Sequence, residues 1–280
     1  MTIDINHLRQ YLGRSESHSD AMSAMPAAAL AATLNLPPPF AGAPLPPLWH
    51  WLYFLPLAKQ SDLGPDGHPR GIGLLPQIPL PRRMWAGSRI TYLQPLKTGE
   101  PAQKVATLAK IDLKEGQSGP LVFVQTRYEM SHASGVAVVE EQDIVYREAA
   151  TPGSAPPPAR PAPTNAVWEK QVQPDPMLLF RYSALIFNAH RIHYDRPYVT
   201  GVEGYPGLVV HGPLIATLLA GLLPEHLPEA KVKTMSVRAM SPLFDIAPFT
   251  VCGRPENNGA LLWATNAEGG LAMEIKVEFV

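Results

Sequence analysis

The 280-residue chain contains one cysteine, Cys252, so no disulfide can form within it. The apolar neighbours of that cysteine favour a buried small hydrophobe over a nucleophile. A charge excess is also lacking: 23 Lys and Arg stand against 24 Asp and Glu, for a formal net charge of −1. Nucleic acids and anionic membrane surfaces recruit a clear basic surplus, so neither is expected as a partner, whereas a small anionic ligand is compatible. No uninterrupted apolar run reaches the roughly 20 residues of a spanning helix. The most apolar windows, residues 48–58 and 208–223, are broken by prolines or histidines and read as buried core. The first 14 residues mix Asp4 with Arg9 and Arg14, which fits neither a secretory signal nor an acid-poor transit peptide. A cytoplasmic protein is the expectation.

Proline, by contrast, is abundant, with 32 residues. Residues 148–165 read EAATPGSAPPPARPAPTN, a composition that resists helix and sheet because proline fixes φ and removes amide donors. This predicts a linker between an N-terminal half, residues 1–147 with a helical arm at its start, and a C-terminal half, residues 166–280. The halves repeat each other: a strand before Pro-Leu occurs in SRITYLQPL from Ser88 and again in KVKTMSVRAMSPL from Lys231. Alternating or β-rich runs follow at residues 102–113, 121–130 and 136–147, and again at 249–254, 260–266 and 271–280. Each set is preceded by an apolar helix candidate, LWHWLYFL from Leu48 and GPLIATLLAGLL from Gly212, with no polar face wide enough for a surface helix. The expected fold is α+β: a double hot-dog in which two antiparallel sheets lie side by side, each wrapping a central apolar helix. Two unrelated α+β halves would leave similar local patterns.

Chemistry concentrates in residues 182–223, YSALIFNAHRIHYDRPYVTGVEGYPGLVVHGPLIATLLAGLL. The small-residue lead-in, the N-x-H-x-x-H-x-D core of Asn188, His190, His193 and Asp195, and His211-Gly212 opening the helix resemble the hydratase motif of the MaoC-like, R-specific enoyl-CoA hydratase family. The FNAHRIHYD core and the two-half layout are similar to the branch holding mitochondrial 3-hydroxyacyl-thioester dehydratases and bacterial itaconyl-CoA and mesaconyl-C4-CoA hydratases. That resemblance implies a metal-free site, no cofactor, an acyl-CoA substrate, and, by analogy, a homodimer.

Water addition to a double bond conjugated with a thioester needs a group that exchanges protons with water, a proton for the α-carbon and stabilisation of the enolate-like oxygen. His193 is the preferred general acid/base because imidazole titrates near neutral pH. The wider family usually carries Asp where this chain has Asn188, and an amide cannot act as a base, so Asn188 can only orient water or substrate. His190, and next Asp195, are the candidate helpers. Gly212 precedes Pro213 at a helix start, where amides lack intrahelical acceptors and face the positive end of the dipole, so its N–H can polarise the thioester oxygen. In the first half, Pro46-Pro47 removes those donors. The aromatics Trp49, Trp51, Tyr53 and Phe54 either line an acyl pocket or pack a core.

His190 and Arg191 are candidates for holding a distal carboxylate, and Tyr182 and His211 join the substrate-binding set. Arg82 and Arg83, with Arg89, form one candidate cluster for coenzyme A phosphates; Arg191, Arg196 and Arg238 form another. GIGLL after Arg70 lacks phosphate-loop spacing. A metal site at His190 and His193 is the less favoured reading, while His50, His68 and His132 show no ligand spacing. The favoured reaction is hydration of itaconyl-CoA or mesaconyl-C4-CoA to citramalyl-CoA. The alternatives are a fatty 3-hydroxyacyl-thioester dehydratase, an acyl-CoA thioesterase and an inactive acyl-CoA-binding protein. Thioesterases of this fold generally place a carboxylate near the central helix, and GPLIATLLAGLL carries none.

Overall fold

The computed structural model describes residues 3–70, 74, 77–116, 119–148 and 158–280. Its first half runs α1 (Ile5–Arg9), β1 (Ser15–Asp20), α2 (Ala24–Thr33), β2 (Arg82–Tyr92), β3 (Ala102–Gly116), β4 (Gly119–His132) and β5 (Gly135–Arg147). The second runs β6 (Trp168–Val172), α3 (Pro176–Leu185), α4 (Arg196–Gly201), α5 (Gly212–Ala220), α6 (Leu222–His226), β7 (Val232–Ala239), β8 (Phe249–Glu256), β9 (Gly259–Thr265) and β10 (Leu271–Phe279). The sheet order β1-β3-β4-β5-β2-β7-β10-β9-β8-β6 reads the same from either end once each strand is matched with its counterpart in the other half. The two expected sheets are thus one continuous ten-stranded antiparallel sheet, joined at β2 and β7, and the architecture is the double hot-dog.

The expected strands form where alternation is strongest, because period-two burial turns one face of each toward the core. β9 departs from alternation, with Gly259 to Ala264 all buried, because both of its faces are covered. Helix α5 packs on one face, and Ala162 and Ala166 lie with Cys252, Leu261, Trp263 and Leu271 on the other. Burial pushes the Cys252 thiol up to about 11, in keeping with its reading as a buried small hydrophobe. The proline-rich segment therefore does not run free over the length expected. Residues 149–157 lie outside the described residues, but Leu271 N–H donates to the Arg160 carbonyl at 2.7 Å and Pro161 bridges Gly270. An extended Pro/Ala strip is apolar enough to serve as a cover.

The second departure concerns the central helices. Helix α5 is wrapped as expected, with Leu214, Ile215, Ala216, Leu219 and Ala220 buried. The first-half candidate from Leu48 instead forms only a 3-10 turn, Trp49–Leu52, entered through Leu48 at φ +71°. Its side chains satisfy Glu140 of β5, a carboxylate 1 % exposed. His50 Nε2 lies 3.1 Å from it, Trp51 Nε1–H donates at 3.0 Å and Ser88 Oγ–H at 2.6 Å. Burial alone would raise the Glu140 carboxyl, and these hydrogen bonds, led by that of His50, hold it below its ordinary value. Trp49, Tyr53 and Phe54 join the core and Trp51 is half-buried. The unassigned N-terminal arm contributes α1, the edge strand β1 and α2, which packs on α3.

Glu140→Ala strands three donors in the core and is expected to destabilise by about 3 kcal/mol or more. Urea unfolding checks this, and Glu140→Gln, which retains an acceptor, should lose less.

Candidate active site

Helix α3 begins at Asp175, whose carboxylate accepts from Leu178 N–H at 2.8 Å, and carries Pro176 in its first turn. It ends at Ile186, after which Phe187 at φ +50° reverses the chain and Asn188 N–H donates to the Ser183 carbonyl at 2.8 Å. The Asn188 side-chain oxygen accepts from His190 N–H at 3.0 Å. Asn188 therefore holds a local turn with its oxygen and keeps its NH2 to offer. A 3-10 turn, Arg191–His193, then aims His193 inward, and Asp195 caps α4 by accepting from Tyr198 N–H at 3.1 Å.

His193 Nδ1 lies 2.7 Å from the Val209 carbonyl. A carbonyl only accepts, so Nδ1 carries the proton and Nε2 is left with its lone pair. The ring stacks on His211, with centroids 3.6 Å apart and planes at 16°. His211 in turn places Nε2 2.8 Å from Ser183 Oγ, while its Nδ1 is buried with no hydrogen-bond partner among the described residues. Burial, reinforced at His190 chiefly by His68 and at His193 by His190, pulls both His190 and His193 down to about 3. Burial and His193 likewise hold His211 well below the ordinary histidine value. At neutral pH these three imidazoles are uncharged, and His193 Nε2 keeps its lone pair.

Next to His211, Gly212 opens α5 under the indole of Trp85 from β2. A Cβ at Gly212 would come within 2.7 Å of Trp85 Cε3, so only glycine permits this approach. The site is completed by a loop of the first half. Leu63 bridges Pro69, Gly64 N–H donates to the His68 carbonyl at 2.6 Å, and Asp66 accepts from His68 N–H at 3.0 Å. Gly67, at φ +91°, lies so close to the motif that a Cβ would fall 1.8 Å from the Ala189 carbonyl oxygen. Arg191 N–H donates to the Asp66 carbonyl at 2.8 Å. This docking brings the His68 ring to 4.0 Å from His190, with His68 Nδ1 3.1 Å from the Asp66 carboxylate. Burial alone would raise the Asp66 carboxyl, but the side-chain and backbone hydrogen bonds of His68 bring it to about 2.

Of the residues expected from sequence, Asn188, His190, His193, His211 and Gly212 converge here. Arg83 reaches the same neighbourhood, where its charge helps depress His190, and its Nε is buried with no hydrogen-bond partner among the described residues. Tyr182, Arg191, Arg82, Arg89 and Arg196 are engaged elsewhere, while Arg238 lies exposed on β7. Tyr182 is 1 % exposed, with its hydroxyl on Thr217 and its ionisation pushed strongly up by burial. Arg191 donates to Asp195 at 2.7 and 2.9 Å and to the Pro65 carbonyl at 2.9 Å, so it braces the motif and does not offer itself to a substrate carboxylate. The same pairing removes Asp195 as a proton-transfer helper. Arg82 donates to the Glu203 carbonyl at 2.8 Å, Arg89 to Asp143 at 2.7 Å, and Arg196 pairs with Asp245. GIGLL lies almost wholly outside the described residues.

Sequence reasoning missed Asp66, Gly67, His68 and Trp85. The available signal was PDGHP at Pro65, an Asp-Gly turn with a histidine held between two prolines, but its destination depends on a distant contact. Asp66, His68 and His190 offer ligand-type atoms within 4.8 Å of one another, a set able to share a proton or hold a cation. His68 is thus not the isolated histidine its spacing suggested.

The family model of hydroxyacyl-thioester dehydratase type 2 matches residues 48–245 of this chain. The chain belongs to that family. It is 49 % identical over 270 residues to a mesaconyl-C4-CoA hydratase of Chloroflexus aurantiacus, covering 96 % of both chains. It is 26 % identical over 238 residues to the mitochondrial hydroxyacyl-thioester dehydratase type 2 of Schizosaccharomyces pombe, covering 74 % of this chain and 77 % of the relative. Among solved structures, HtdX of Mycobacterium tuberculosis superposes with a TM-score of 0.69 at 19 % identity, covering 95 % of this chain and all of HtdX, a likeness of fold. The protein is a hydro-lyase acting on acyl thioesters.

A histidine whose pKa is lower in the folded than in the unfolded chain stabilises the fold above its unfolded value and loses that contribution as pH falls toward its folded one. For His190 and His193 the window runs from 6.5 down to about 3, with Asp66 adding loss between 3.8 and about 2. The melting temperature is expected to fall steadily across this acid range, and less steeply in His190→Gln; a flat profile in the wild type contradicts the neutral cluster.

Proposed function

We propose that the protein hydrates a short, branched dicarboxylic acyl-CoA, mesaconyl-C4-CoA or itaconyl-CoA, to citramalyl-CoA. Similarity to the mesaconyl-C4-CoA hydratase over nearly the whole chain carries this choice. Arg83 supplies a physical reason for it. A dicarboxylic acyl group brings a free carboxylate into an otherwise dry site, and a guanidinium beside His190 whose buried Nε has no hydrogen-bond partner among the described residues is suited to receive it.

In this reading the nucleophile is a water held by the free His193 Nε2 and oriented by the Asn188 NH2. His193 takes one of its protons as the oxygen attacks the β-carbon, and charge moves onto the thioester oxygen. The Gly212 N–H, at the positive end of α5, meets that oxygen. A proton delivered to the α-carbon completes the addition. Helix α5 carries no carboxylate of the kind that thioesterases of this fold place near it, which favours water addition over thioester hydrolysis. Dehydration of a fatty 3-hydroxyacyl thioester is the second reading, favoured by the family match and the Schizosaccharomyces pombe relative.

Purified protein should hydrate mesaconyl-C4-CoA or itaconyl-CoA well ahead of crotonyl-CoA and longer enoyl-CoAs, followed by loss of enoyl absorbance and by product mass. Preference for crotonyl-CoA or a longer chain would select the second reading, and release of free CoA would defeat both. His193→Ala should lower kcat by roughly 100-fold or more with the fold retained. Arg83→Met should raise KM for the dicarboxylic thioester by about tenfold or more while leaving crotonyl-CoA little changed, as expected for loss of one charge-assisted contact.

A further inference from the structure

The substitution of Asn188 for the usual carboxylate leaves one proton unaccounted for. His193 is a neutral base with a single free nitrogen, and the Asn188 amide neither takes nor gives a proton. Asp195 is occupied by Arg191 and by the start of α4. Asp66, which arrives from the first half of the chain, is instead a carboxylate whose side-chain partner is a histidine, His68.

We propose that Asp66 and His68 form a proton-supplying pair that acts through His190 and takes over the work that the wider family assigns to the carboxylate missing at Asn188. His190 is the group that faces substrate; Asp66 and His68 are positioning residues behind it. The hydrogen bond between His68 Nδ1 and the Asp66 carboxylate orients the imidazole, with Nδ1–H toward the carboxylate and Nε2 on the opposite side of the ring. Ligand-type nitrogens of His68 and His190 lie within 4.8 Å, a gap that a proton crosses with one intervening water. The exposures also grade correctly: the His68 side chain is 22 % exposed, whereas His193 is 7 % and His211 1 % exposed. The pair links the dry site to solvent.

The atoms balance. A water O–H bond breaks, with its proton passing to His193 Nε2, and the oxygen bonds to the β-carbon while the π pair shifts toward the thioester. The α-carbon then takes the ring proton of His190, which is replenished at its other nitrogen from His68. His68 regains a proton from solvent and His193 returns one, so only water is consumed. The docking geometry matches this role, since the close contact of Gly67 with Ala189 and the bond from Arg191 N–H to the Asp66 carbonyl fix the pair against the backbone that bears His190.

This inference rests on acyl-thioester hydration at this site, not on the choice of acyl group. The test compares His68→Ala, His68→Asn and Asp66→Asn with the wild type on whichever thioester the wild type hydrates, reading kcat, KM and melting temperature. The expected result is a fall in kcat of about 10- to 100-fold for both His68 variants, a smaller fall for Asp66→Asn, and KM within about twofold. Melting temperatures should stay close to wild type, and added imidazole should restore part of the His68→Ala rate. Unchanged kcat in the folded variants, or a rise in KM alone, overturns the proposal. So does loss of wild-type activity to a chelator with recovery on adding zinc, because the cluster would then be holding a cation. A wild type that hydrates none of the thioesters defeats the functional reading itself, a result distinct from intact turnover in the variants.

Discussion

Pairing of β2 with β7 is the constraint on which the site depends. The ladder from Gly87 opposite Arg238 to Thr91 opposite Thr234 makes two five-stranded halves into one sheet. A single core runs across that seam, from Met22 and Trp49 of the first half to Leu214 and Ile275 of the second. Because side chains alternate along a strand, a one-residue slip would turn Trp85 away from Gly212 and carry Arg83 off the site. Register at the seam therefore sets catalytic geometry as well as packing. The first half contributes through it the indole, the guanidinium and, by way of the loop docked on Ala189, a histidine and a carboxylate.

Dryness is the second organising property. His190, His193 and His211 are kept neutral mainly by burial, and the stack of His193 on His211 leaves little room for water between them. In such surroundings a newly protonated imidazole is poorly stabilised and passes its proton on readily, which suits a group that must be reset in every cycle. The same surroundings strengthen the attraction of a buried guanidinium for an anion. A carboxylate at position 188 would have been an unscreened charge beside His193; in this chain the negative charge is set further out, at Asp66, with half-exposed His68 as its partner.

The strands and the catalytic turn were legible in the sequence because they are written locally. Alternation or β-rich composition between turn signals places β3, β4, β5, β8, β9 and β10, and the order Asn188, His190, His193, then His211-Gly212 marks the turn and the helix that follows. The brace between Arg191 and Asp195 was also readable, as an i,i+4 opposite-charge pair, though a substrate role was assigned to it instead. The helix expected from Leu48 failed for a physical reason visible only in three dimensions. Pro46-Pro47 and Pro56 confine any helix to about two turns, and His50 and Trp51 are drawn to Glu140, about 90 residues later. The destination of Asp66 and His68 was illegible on the same ground. Their loop carries a clear turn signal, but its partner lies more than 100 residues away, and local pattern contains no information about which distant surface a turn meets.

The mirror order of the sheet has a consequence for how the chain is made. On a ribosome β2 emerges about 150 residues ahead of β7, which at ordinary elongation rates leaves its open edge waiting on the order of ten seconds. An unpaired strand of eleven residues is a template for joining another chain. Arg82, Arg83 and Arg89 lie along that strand, and charges of this kind discourage such pairing until β7 arrives. The arginines that bond to Glu203 and Asp143 in the finished fold thus place charge on the strand whose edge waits longest for its partner.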